Sequence, residues 1–210
     1  MSKSLFVHHS VEKNPDMRVP DPHQDAFSRT TLGFWIYLMT DCIIFASLFI
    51  THAVLQKETF GGPSGKDLFS LPLAFLETIV LLISSVTCGF AILSSLKDAT
   101  KKVIGWLIPS FVCGACFVYL ELKEFYHLIQ EGHSFTQSAF LSSFFTLVGT
   151  HGLHVSIGLL WMLVMIGQLL YRGITVFTFR RLVVFGMFWH FLDLVWIFIF
   201  TFVYLMGVIT

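Results

Sequence analysis

Ionisable side chains recur inside the apolar stretches of this chain, and several of them stand at spacings that can do chemistry. Glu124-x-x-His127 has the i, i+3 spacing with which helices supply ligands to carboxylate-bridged di-iron centres. Such a centre needs a second Glu-x-x-His and two more glutamates at the same depth, and only Glu77 and Glu121 are on offer. The competing reading is a network of these acids with Lys123 that satisfies polar groups between helices. His151-x-x-His154 puts two imidazoles one turn apart on one helix face. Paired with His190 from a second helix, His151 meets the requirement for a bis-histidine haem. The competing reading is a hydrogen-bonded His–Asp–His cluster that docks one helix on the next, since His190 and Asp193 are i, i+3 neighbours that can satisfy each other. Cys113-Gly-Ala-Cys116 has C-x-x-C spacing, but it sits among Phe111, Val112 and Phe117, where thiols behave as small hydrophobes rather than accessible nucleophiles. Asp41 stands alone in an apolar run, as a proton-relay group or as a buried acid paired with a neighbour.

The elements that must position these groups are membrane helices. The 210 residues are 55% hydrophobic and only 12% charged, against about 25% charged in soluble domains. Mean hydropathy is +0.78. Five apolar stretches, at about 32–53, 71–94, 103–128, 138–170 and 183–208, are each long enough to cross a bilayer, for which about 20 residues suffice. The expected fold is therefore all-α, an integral membrane bundle of five transmembrane helices over 32–210, preceded by a polar, mostly irregular tail over 1–31 with prolines at 15, 20 and 22. Pro109 marks a candidate kink in the third span. The zero formal net charge gives no reason to expect nucleic acid as a partner. Four cysteines, all inside apolar stretches, do not read as a disulfide framework. The N-terminus lacks the apolar core and small-residue site of a cleaved signal peptide.

Lys and Arg set the expected orientation. The tail and the second and fourth loops hold Lys3, Lys13, Arg18, Arg29, Lys97, Lys101, Lys102, Arg172, Arg180 and Arg181, whereas the opposite side holds only Lys57 and Lys66. The positive-inside rule then places the N-terminus in the cytoplasm and the C-terminus in the periplasm. At a 1.5 Å rise per residue this orientation sorts the polar groups into two layers. The outer layer holds Glu77, Glu121, Lys123, Glu124 and His127, and the inner layer Asp41, His151, His154, His190 and Asp193. Gly149, Gly152 and Gly158 flank the two histidines of the fourth span and allow close approach of another helix. The residues alone thus favour structural contacts at Glu77, Glu121, Glu124, His151, His154, His190 and Asp193 over catalytic, cofactor-binding or metal-ligating roles, and they leave Asp41 open between a relay group and a paired acid.

Three of these runs carry a family resemblance. FFTLVGTHGLHVSIG is similar to the Gly-x-His-Gly-Leu-His helix of subunit III of the haem–copper terminal oxidases, and WHFLDLVWIFIF resembles its Trp-His-Phe-x-Asp-x-x-Trp helix. LELKEFYHL resembles the family helix with a glutamate before an aromatic pair, which falls on Glu124, and the acid of its YLxxE/D helix corresponds to Asp41. The resemblance runs from about residue 32 to the C-terminus. Five spans instead of seven, together with GFWIYLMTDC and the GGPSGKD loop, are similar to the short form in bo-type quinol oxidases. The resemblance implies a subunit of a proton-pumping ubiquinol:oxygen oxidase in a bacterial inner membrane. It implies that haems, copper and ubiquinol belong to a partner catalytic subunit and none to this chain. It implies contact mainly with subunit I, with subunit II and a small subunit IV as further partners, and bound phospholipids. It also implies that the acid at Asp41 reacts with carbodiimide yet is dispensable for turnover. A cytochrome c oxidase subunit III is the alternative; a stand-alone haem protein using His151 and His190, or a small transporter using Asp41, are rivals from other classes.

Overall fold

The computed structural model describes residues 22–56, 71–97, 99–132 and 138–209. Most of the tail and most of the GGPSGKD loop lie outside them, as do Lys57 and Lys66. The described residues form five long helices: α1 (Pro22–Leu55), α2 (Leu71–Ser95), α3 (Thr100–Gln130), α4 (Ala139–Arg172) and α5 (Val176–Ile199). α5 runs on through a π-helical stretch, Phe200–Leu205, into a last turn, α6 (Met206–Ile209). All five long elements are apolar and long enough to cross a membrane.

Local chemistry explains where these helices begin and end. Ser138 caps α4, its side chain accepting from Leu141 N–H at 3.2 Å, and Thr175 caps α5 by accepting from Thr178 N–H at 3.1 Å. The Thr175 cap starts α5 at Val176, ahead of the apolar run at 183, and so carries Arg180 and Arg181 inside the helix. α1 likewise starts at Pro22, ahead of the apolar run at Leu32; proline favours a first helical turn because the missing N–H has no helical partner there. Gly132 (φ 85°) and Gly173 (φ 67°) end α3 and α4 in the left-handed region that glycine enters freely. Pro109 lies inside α3, which continues through it as one helix.

α2, α3, α4 and α5 pack each against the next, and α5 returns to α2, closing a four-helix bundle; α1 lies across α4 and α5. The core runs along this bundle, with Phe117, Phe144, Phe185 and Trp196 fully buried. Side chains facing away from it, such as Leu32, Val86, Leu160 and Leu170, are apolar and exposed, as a lipid-facing surface requires.

Candidate functional site

Three glutamates meet inside the bundle at one end. Glu77 on α2 and Glu121 and Glu124 on α3 are 0%, 3% and 8% exposed. All three interact electrostatically with Tyr204, which the π-helical stretch presents, and Tyr204 donates to Glu124 Oε2 at 2.8 Å. No protein partner reaches either carboxyl oxygen of Glu77, or Glu121 Oε1, among the described residues. Glu121 lies directly over Gly152 of α4: a Cβ there would stand 2.5 Å from both of its carboxyl oxygens. Glycine at 152 is thus what lets α4 pass the acid.

Lys123 does not join this network. It and His127 are exposed on the other side of α3, and His127 pairs with Glu131 at 3.5 Å. The expectation of paired acids and a lysine is corrected accordingly. Residues 121 and 124 share a helix face, whereas position 123 is rotated about 160° from 124's neighbour at 121. His127 stays exposed and pairs with Glu131 instead of turning to the buried Glu124, so Glu124-x-x-His127 does not act as a pair.

The second layer divides among several helices. His151 is fully buried on α4, with its Nε2 at 3.2 Å from the Leu192 carbonyl of α5 and its ring between Phe117 and Trp196, 5.6 and 5.2 Å away between centroids. Its Nδ1 has no partner among the described residues. His154, half-buried, bonds the Thr150 carbonyl of its own helix at 2.7 Å and packs on Phe45 of α1. His190 bonds Ser85 of α2 at 2.6 Å, and Asp193 interacts electrostatically with both. Asp41 is 4% exposed and interacts electrostatically with Tyr37 one turn away on α1. The expected His–Asp–His cluster between the fourth and fifth spans is therefore replaced by separate contacts. Of the inner-layer groups, His151 bridges α4 to α5, and His190 with Asp193 faces α2. His190 and His151 lie on different sides of α5, so the geometry does not offer them as two axial ligands of one haem. Among the described residues no group of three His, Cys, Asp or Glu is arranged to hold a metal ion.

Short polar side chains do more of the joining than the ionisable ones. Ser84 on α2 donates to the Ser110 carbonyl of α3 at 2.8 Å, and Ser110 donates back to the Ser84 carbonyl at 2.9 Å. Trp189 and Trp196 of α5 donate their indole N–H groups to Ser84 and Thr78 of α2, at 3.1 and 3.0 Å. His52 on α1 meets Ser143 on α4 at 3.0 Å. Ser143 gives its one proton to the Phe140 carbonyl at 2.8 Å, so the His52 Nδ1–H donates to Ser143. The sequence reading passed over His52 and the serines. The available signal was a histidine in the last turn of α1 and serines at positions 84, 85, 110 and 143 inside apolar runs.

Most of these contacts tie helix to helix, whereas those of Asp41, His127 and His154 stay within their own helices. Residues 21–208 match the family model for cytochrome c oxidase subunit III. Cytochrome bo(3) ubiquinol oxidase subunit 3 of Pseudomonas aeruginosa is 52% identical over 207 residues, covering 99% of each chain. The protein of the same name from Pseudomonas putida is 53% identical over 185 residues, 88% of this chain and 89% of the relative. Cytochrome c oxidase subunit 3 of Bacillus sp. (strain PS3) is 46% identical over 178 residues, 85% of this chain and 86% of the relative. A family match that runs through all five helices, with likeness to these relatives over nearly the full length, makes this chain a member of the cytochrome c oxidase subunit III family.

Proposed function

We propose that the chain is subunit III of a quinol-oxidising haem–copper terminal oxidase of an aerobic respiratory chain, a subunit without redox centres that stabilises the catalytic one. The observation that carries this reading is the 52% identity to a bo(3) ubiquinol oxidase subunit 3 over 99% of both chains. The internal contacts support a structural role for the buried polar groups. Asp41, Glu77, Glu121, Glu124, His151, His154, His190 and Asp193 serve as structural polar contacts, most of them inside the bundle. Haems, copper and ubiquinol belong to subunit I. Subunits I and II, a small subunit IV and phospholipids are its neighbours in a bacterial inner membrane. The excess of Lys and Arg in the tail and the second and fourth loops supports a cytoplasmic N-terminus and a periplasmic C-terminus.

The test is purification of the native complex through a tag on this chain, followed by subunit identification, pigment spectra and oxygen uptake with ubiquinol or reduced cytochrome c. The reading requires haem-bearing partners and ubiquinol-driven uptake. Uptake driven by cytochrome c alone selects the cytochrome c oxidase alternative, and a complex without haem sinks both.

A further inference from the structure

His190 departs from the pattern of Asp41, Glu77, Glu121, Glu124, His151 and Asp193, all of which are buried. It lies near the midpoint of the Val176–Val208 span, yet its side chain is exposed. Hydrocarbon offers an imidazole no hydrogen bond, and ionisable groups at such depth face protein or water. His190 Nδ1 is tied to Ser85 of α2 at 2.6 Å, which leaves Nε2 to be matched by a group from outside the chain. The surrounding surface is apolar and open: Leu82 and Val86 on α2 are 40% and 57% exposed, and Leu194 and Ile197 on α5 are 53% and 40% exposed. Gly89, one turn from Ser85, has no heavy atom within 4 Å of where a Cβ would stand. Small residues of this kind allow a second helix backbone to come close.

We infer that this α2–α5 face is where the chain docks on a transmembrane helix of another oxidase subunit, one that brings a hydrogen-bonding side chain to His190 Nε2 at mid-membrane depth. Acyl chains carry no hydrogen-bonding group, so lipid alone does not complement the face. The inference rests on the proposed place in an oxidase complex and adds which face is covered and by what chemistry.

The test replaces Val86 or Leu194, and as controls Leu122 on α3 or Leu160 on α4, with a benzophenone amino acid in the native complex. Illumination of the purified oxidase should join positions 86 and 194 to another subunit of that oxidase. Retention of the chain in the detergent-purified complex should fall about threefold for His190→Phe, the equivalent of one interhelical hydrogen bond, and less for His190→Gln, which keeps hydrogen-bonding groups. Adducts with lipid alone at 86 and 194 overturn the docking face, and unchanged retention of His190→Phe overturns the hydrogen bond to His190. Both results are distinct from failure of the wild-type chain to copurify with haem-bearing subunits, which would sink the oxidase assignment itself.

Discussion

Tyr204 reaches Glu124 Oε2 at 2.8 Å because the last span departs from α-helical winding over Phe200–Leu205. A π-helical stretch inserts an extra residue per turn and so re-aims the side chains beyond it. Here it points a phenol into a site holding three carboxyl groups, and Tyr204 is fully buried there.

Removing that hydroxyl tests the link. Tyr204→Phe keeps the ring against Phe144 and Trp196 but deletes the donor to Glu124. The expected loss is about 0.6 kcal/mol, the average for interhelical hydrogen bonds in membranes, and no more than about 1.7 kcal/mol. Thermal unfolding of the purified complex, followed through release of this chain, measures it.

Gly152→Ala should be more damaging, because its methyl would overlap the Glu121 carboxyl from which a Cβ would stand 2.5 Å away. Overpacking of this kind costs about 1–3 kcal/mol. Glu121→Ala removes the obstacle, so the double variant Glu121→Ala/Gly152→Ala should lose less than the sum of the two single changes. A double-mutant cycle on unfolding midpoints reads that coupling directly.

The two histidines of the HGLH run should separate sharply. His151→Ala empties a fully buried site between Phe117 and Trp196 and frees the Leu192 carbonyl, at an expected cost of about 2–4 kcal/mol. His154→Ala gives up a bond within its own helix and part of a contact with Phe45, and should cost less than about 1 kcal/mol. Yield and melting of the assembled complex distinguish them; equal losses would contradict the geometry.

The spans were legible in the sequence because a bilayer imposes a length and a composition that few other environments do. Depth was legible as well: Glu77 and Glu121, read as one layer, do meet around Tyr204. What a depth map lacks is azimuth. Each residue turns the helix by about 100°, so Lys123 and Glu124 share a depth and point in different directions. The same gap explains why His190 meets Ser85 of α2 rather than His151 of α4. Serine partners were illegible for another reason. A serine in an apolar run can bond its own helix, as Ser95 does to the Ile92 carbonyl, or a neighbour, as Ser84 does, and only packing decides.

A fourth prediction concerns colour. The isolated chain should bind no haem when supplied with it, because His151 is closed in by aromatic rings and His190 lies on the far side of α5. Titration with haemin followed in the Soret region checks this; a shifted, saturable band lost in His151→Ala would overturn it.

The bond from His52 to Ser143 spans 91 residues of sequence. At roughly 5–20 residues per second, the ribosome delivers Ser143 about five to eighteen seconds after His52. The first helix therefore waits in the membrane with an unmatched imidazole until the fourth arrives. By contrast, α4 and α5 are separated only by Gly173, Ile174 and Thr175, so these two can enter as a hairpin and match His151 to the Leu192 carbonyl almost as soon as both are made. Sequence separation thus sets how long each of these polar groups waits in the membrane for its partner.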